Sequence, residues 1–151
     1  MTQFSSFADM ASHVGRAAAS LPAGIAAALA ATGEAAASQA REKMGIYQDG
    51  VGPFPAWPEL ASSTQIERVE LGFSANEPLL RTGELRDSIG FAVNALSVTI
   101  GSPLDKAVKM ELGDPGASVP ARPFLGPAMW EESLRAGQRI KIAIANALTG
   151  P

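Results

Sequence analysis

Residues 21–44 read LPAGIAAALAATGEAAASQAREKM, and the rest of the chain is best understood outward from this stretch. Leu21, Ile25, Leu29, Thr32, Ala36, Ala40 and Met44 recur every three or four positions, the period of a single helix face. Alanine, the residue of highest intrinsic helix propensity, fills most of what lies between. Arg41 and Lys43 stand in the last turn, where cations complement the helix dipole, and Gly45 is placed to terminate it. Gly33 is a soft spot. Between Arg16 and Glu34 there is no charge, so this face is built to be covered by another helix, either of its own subunit or of another.

Upstream, residues 1–19 form an N-terminal helical segment. Phe4, Phe7, Met10 (or Ala11) and Val14 give it one apolar edge at helical spacing. Leu21-Pro22 is expected to interrupt the helix, with Ser20 as N-cap of the second piece and the proline in its first turn. The run 17–31 imitates a membrane span. Read as fifteen residues broken by Ser20, Pro22 and Gly24, it is too short to cross a bilayer, and no membrane partner is expected. The first fifteen residues carry only Asp9, against the basic start of a signal peptide.

Downstream, residues 45–58 form a Gly/Pro-rich loop, with Tyr47, Phe54 and Trp57 as its apolar anchors. A short helix is expected over 58–72, although Val69, Leu71 and Phe73 leave a strand open at its end. Thr82 can cap a one-turn helix that carries Glu84 in its first turn. Phe91 and Val93, then Leu96, Val98 and Ile100, alternate around Asn94-Ala95 and read as a β-hairpin. Residues 105–112 are helical up to the turn at 113–116. Residues 119–125 are extended, held by Pro120 and Pro123. A last helix opens at Pro127 and runs to about Leu148, with Trp130, Leu134, Gly137, Ile140 or Lys141, Ile144 and Leu148 as its apolar stripe. The expectation is one α+β domain over 1–151: a long N-terminal and a C-terminal helix packed on a small antiparallel sheet.

Composition excludes several functions. The chain has 151 residues, 46% of them apolar, yet only six Phe, two Trp and one Tyr. Alanine buries little area, so the core is expected to be completed by neighbouring subunits. A net charge of −3 without a basic cluster argues against sequence-specific DNA binding. The absence of cysteine removes disulfides, zinc–thiolate sites and a thiol nucleophile, and suits a bacterial cytoplasm. His13 is the single histidine and reads as an ordinary helix residue. The acid pairs Glu131-Glu132 and Glu84/Asp87 have basic neighbours and read as solvated faces. No phosphate-binding Gly-Lys-Ser/Thr loop and no Gly-x-Ser-x-Gly elbow occurs. Neither an enzymatic activity nor a cofactor is expected.

Three segments in order carry a resemblance: Trp57-x-x-Leu60; Leu79-Leu80-x-Thr82-Gly83-x-Leu85-Arg86-x-Ser88-Ile89 leading to Val98-x-Ile100-Gly101; and Val119-Pro120-Ala121-Arg122-Pro123-Phe124-Leu125-Gly126-Pro127. Together they resemble the virion-morphogenesis family of tailed bacteriophages, the tail-completion or neck proteins. The chain departs from that pattern at Lys106–Gly113, where the usual tyrosine is replaced and Leu112 stands for an aromatic, while Ala107, Glu111 and Gly113 fit. The resemblance implies a structural virion protein that forms a ring, expected to be a hexamer, at the head-proximal end of the tail. Its neighbours would be a tail tube or terminator protein and a head-closure protein, with DNA passing through the lumen. It would be located in the virion and assembled in the host cytoplasm.

Within the third segment, Pro120 and Pro123 stiffen the chain and Arg122 offers five donors. Phe124 and Leu125 supply apolar anchors. These five residues are candidates for an oligomer interface, and equally for packing the last helix onto the same subunit. In the interface reading, replacing Arg122 leaves the subunit folded. The alternative function is a small non-enzymatic adaptor that binds a protein partner through the alanine-rich helix.

Overall fold

In the computed structural model, which describes residues 3–149, the alanine-rich stretch belongs to one continuous helix, α1, Phe7–Glu42. At 1.5 Å per residue its 36 residues span about 54 Å. The expected break at Leu21-Pro22 does not occur, and Ser20 is not a cap. Its hydroxyl donates to the Ala17 carbonyl inside the helix. Pro22 removes one helical hydrogen bond, but both it and Ala18 are exposed, so water can satisfy the freed carbonyl. The true N-cap is Ser6, whose Oγ accepts from the Asp9 amide at 3.1 Å. With the break gone, the length argument against a membrane span no longer holds. α1 is the one helix among the described residues long and apolar enough to cross a bilayer.

α1 ends where Gly45, at φ +91°, donates its amide to the Pro78 carbonyl. The next helix, α2, is Ser62–Glu70, shorter than expected at its start because the Pro58 and Glu59 carbonyls are occupied elsewhere. The strand left open at 69–73 is absent: Val69 is helical and Gly72 turns the chain at φ +79°. The one-turn α3, Glu84–Asp87, follows, with Gly83 rather than Thr82 as its N-cap. Strands β1 (Gly90–Asn94) and β2 (Ser97–Gly101) form the antiparallel hairpin, with Phe91 opposite Ile100 and Val93 opposite Val98. Helix α4, Asp105–Leu112, and a 3₁₀ turn at Pro115–Ala117 lead into the extended segment. The last helix, α5, is Leu125–Thr149, opening two residues before the proline expected to begin it. The α+β architecture with long terminal helices on a small sheet is thus as read.

α1 and α5 run antiparallel. Gln39 meets Glu132, Thr32 meets Arg139, and the backbone at Gly24 lies against Ala143. His13 Nε2 reaches the Leu148 carbonyl at 2.8 Å, and its ring lies 5.1 Å from that of Phe4. The alanine face of α1 is therefore covered within its own chain over its C-terminal half, where Ala28, Leu29, Thr32, Ala36, Ala37 and Ala40 are buried. The hairpin crosses the same helix. A Cβ on Gly33 would lie 2.6 Å from Phe91 and 2.7 Å from Val98, so close sheet–helix approach requires a residue without one.

The core sits at the end of the rod where α1 finishes and α5 starts. Ala37, Ala40, Met44, Trp57, Leu85, Ile89, Ala107, Phe124 and Ala128 compose it. α5 does not bury the stripe its periodicity indicates. Trp130, Leu134, Ile144 and Leu148 are exposed, while Pro127, Ala128 and Glu132 face inward. Small residues let α5 lie close to the alanines of α1, and the bulky stripe is left outside.

Candidate functional site

The Pro-Ala-Arg-Pro-Phe segment is where charged side chains gather, and they act on backbone. Its helix start has no Ser, Thr, Asp or Asn to cap it, so the first amides of α5 need acceptors. Glu111, from the last turn of α4, supplies them. Its Oε2 accepts from the Phe124 amide at 2.7 Å and the Leu125 amide at 2.9 Å, and Oε1 accepts from Gly126 at 2.7 Å. A carboxylate at a helix N-terminus also opposes the positive end of the dipole. Gly126 lets this happen, since a Cβ there would fall 2.4 Å from the Phe54 ring and 3.0 Å from Glu111 Oε1.

Arg122 is buried. Its Nε donates to the Pro58 carbonyl at 3.0 Å and its Nη2 to that of Glu59 at 2.9 Å, fixing the chain that leads into α2. Burial lowers its pKa, and the neighbouring Arg68 charge acts in the same direction. Arg68 plays the matching part for residues 74–80. Nη1 donates to the carbonyls of Glu77 (2.8 Å), Leu80 (3.2 Å) and Ser74 (3.4 Å). Burial lowers its pKa too, followed by repulsion from Arg81, with Glu77 opposing.

The five proposed interface residues therefore fall into two groups. Arg122, Pro123 and Phe124 are buried in their own subunit, Phe124 completely, and Leu125 packs half-buried against the core. Pro120 alone is exposed. The guanidinium of Arg122 has its carbonyls already, which removes the expectation that the subunit folds indifferently without it. Of the loop anchors, Trp57 is buried and its Nε1 donates to the Pro123 carbonyl at 2.8 Å. The Tyr47 hydroxyl donates to Asn76 Oδ1 at 2.6 Å and accepts from the Leu60 amide at 3.0 Å. Phe54 lies half-buried beneath Gly126. All three pin the loop to the chain's own core.

Glu132 corrects another expectation. It is not on a solvated face but buried between α1 and α5, with Arg139 at 2.7 Å, Arg135 beside it and Gln39 donating to it. Burial by itself raises its pKa; hydrogen bonds from Arg139 and Arg135 outweigh this, and the net shift is downward. Glu131 pairs with Lys43 at 3.4 Å. Glu84 and Asp87 are exposed and paired with Lys106 and Arg86. Among the described residues no His, Asp and Glu side chains converge as a metal site.

What remains available for partners is apolar. Beside Arg122 and Arg68, a groove of about 1300 Å³ opens between α2, α3, α4 and the 113–122 segment, with Leu60, Phe73, Leu79, Met110 and Leu112 on its walls. At the far end of α1, Phe4, Phe7, Met10 and Val14 are exposed along one edge, Phe7 by 79%. The outer stripe of α5 is the third such surface. No family model, curated protein or solved structure matches this chain.

Proposed function

We propose that this chain is a structural subunit of a tailed-phage virion, which closes into a ring, expected to be a hexamer, at the head-proximal end of the tail. There it completes the tail and joins it to the head, between the tail tube or terminator and the head-closure protein, with DNA passing through the lumen without sequence-specific contacts. It catalyses no reaction. The three sequence segments that resemble the virion-morphogenesis family support this reading.

The physical observation that carries it is the placement of large apolar side chains. Phe7, Leu96, Leu112 and Leu134 are each more than 70% exposed, and most belong to ordered helical stripes. Single exposed hydrophobics are common on monomers, whereas contiguous stripes mark interfaces. Head-to-tail contacts between such stripes close into a ring when the rotation per copy divides a full turn.

The test is the mass and shape of the purified protein, together with its presence in purified virions. An annulus of several copies, located at the neck by labelled electron microscopy, is the expected result. A monomer absent from both virions and assembled tails refutes the reading. A second reading, a monomeric adaptor, is favoured by one observation: Ala18, Ala19, Ala23, Ala26 and Ala27 stay exposed along α1. A stable monomer that captures a single host protein through that face would establish it.

A further inference from the structure

We infer that α5 pairs antiparallel with α5 of a second copy of this chain, about a two-fold axis level with Arg139, along the apolar stripe that faces away from α1. At about 100° per residue, Trp130, Leu134, Gly137, Lys141, Ile144 and Leu148 fall within a sector of about 80°. That sector is centred roughly 160° round the helix from Glu132, which is buried against α1. The intervals between these residues alternate between four and three, the a/d spacing of a coiled-coil seam. Trp130, Leu134, Ile144 and Leu148 are exposed along it. A Cβ at Gly52 would fall 2.7 Å from the Trp130 indole, so the neighbouring loop braces that ring where it stands.

The spacing calls for a helix, and the residue types select a reversed copy of this one. In the antiparallel register Trp130 meets the partner's Leu148, Leu134 the partner's Ile144, and Gly137 the partner's Lys141, each pair occurring twice. Large side chains face large ones, and the one long cation faces the one residue without a side chain. The Lys141 stem lies over that glycine while its ammonium stays in water. A parallel register would instead set Lys141 against its own counterpart inside the seam and leave a gap between two glycines. Beside the seam, Gln138 and Ile140 each meet their own counterpart across the two-fold, and Glu131 meets the partner's Ala145, so no like charges oppose. A strip about 27 Å long and roughly 10–12 Å wide, corrugated by side chains and covered on both copies, hides on the order of 1,000 Å² in all, the lower bound for a specific interface. A two-fold contact pairs copies and then stops. It is therefore separate from the head-to-tail contacts of the ring proposed above, and describes the free subunit.

Because the chain lacks cysteine, introduced thiols read the register directly. Leu134→Cys and Ile144→Cys proteins, mixed under mild oxidation, should give a mixed disulfide dimer well in excess of either homodimer, since each position lies about 15 Å along the axis from its own counterpart. Homodimers alone would indicate parallel pairing and overturn the proposal, as would the absence of any link. In sedimentation velocity the wild type should show a monomer–dimer equilibrium in the micromolar range. Leu134→Lys/Leu148→Lys should weaken it by roughly tenfold or more at an unchanged melting temperature, both side chains being exposed. Wild type that stays monomeric at the highest concentration overturns the contact. So does a lysine variant that associates as the wild type does. Either result leaves the ring reading standing, because that reading is decided by the protein's presence at the neck of purified virions.

Discussion

Replacing Glu111 should unfasten the last helix, and the size of the effect follows from its three acceptor contacts. Hydrogen bonds to a charged group contribute about 1.5–3 kcal/mol each. They are not additive here, because the amides of Phe124, Leu125 and Gly126 share one carboxylate and water can reach part of the site. Loss of an ordinary N-cap costs about 1–2 kcal/mol, and the charge–dipole term adds roughly 0.3–2 kcal/mol. Glu111→Ala is therefore expected to destabilise the subunit by about 1.5–4 kcal/mol, a large share of the roughly 5–15 kcal/mol typical of a domain. At about 2–4 °C per kcal/mol for a chain of this size, the melting temperature falls by roughly 3–16 °C. Glu111→Gln keeps one acceptor oxygen but turns an NH₂ toward donor amides, so about half the loss is expected. Urea titrations followed by far-UV circular dichroism measure both. An alanine variant within about 1 kcal/mol of wild type would show that the carboxylate does not hold this helix.

Four further outcomes are expected. Glu132 has its folded-state pKa below the ordinary glutamate value of about 4.3. Its contribution is thus complete above that value and lost as pH falls through the folded pKa. Melting temperature should drop on acidification below about pH 4.3, and Glu132→Gln should flatten that part of the profile; an unchanged slope refutes the assignment. Gly33→Leu drives atoms into Phe91 and Val98 and should cost about 1–3 kcal/mol in urea, with a neutral result excluding the close hairpin–helix approach. Trp57→Phe removes the bond to the Pro123 carbonyl and should cost about 1–2 kcal/mol, read conveniently from the remaining Trp130 fluorescence; no loss would mean the indole N–H is not paired. Arg122→Ala removes a buried guanidinium and the donor of the Pro58 and Glu59 carbonyls and should destabilise the isolated subunit by about 1–3 kcal/mol, whereas an unaffected monomer would return Arg122 to the surface.

Periodicity made the elements legible because it reports which face of a segment is apolar. The hairpin around Asn94-Ala95 and the buried stripe from Leu29 to Met44 follow from it. Periodicity does not report whether the chain's own residues cover that face. Hence the apolar stripe of α5 lies outside, and Ala128 and Glu132 face inward instead. Pro22 still costs α1 a hydrogen bond and crowds the Ala18 carbonyl, and packing against α5 on both sides of it carries the helix through. Glu111 was visible only as a position fitting the family pattern. Its role depends on a helix starting fourteen residues later, but one local signal exists, the absence of any capping side chain ahead of Pro127. Arg122 was singled out correctly as a multi-donor group, and what could not be read was which carbonyls it meets, since Pro58 and Glu59 are remote in sequence.

The charged residues suggest why so small a core suffices. Most of the chain from residue 45 to 124 lies outside long helices, and such segments leave backbone carbonyls and amides to be satisfied. A larger sheet would pair them with one another. Here Arg68 holds three carbonyls, Arg122 two and Glu111 three amides, while Arg41 reaches the Ile89 carbonyl at 2.7 Å. The shorter of these, at 2.7–3.0 Å, are charge-assisted bonds made where water is partly excluded, and they hold chain that alanine's small apolar area cannot. The consequence is an exchange of places: ionic groups work inside, and Phe7, Leu112 and Leu134 are left outside. Apolar stripes left in water weaken a solitary subunit's solubility, and covering them with identical copies lowers the free energy of every copy at once. In the proposed ring, the same feature that lets a short alanine-rich chain fold would supply the contacts between copies.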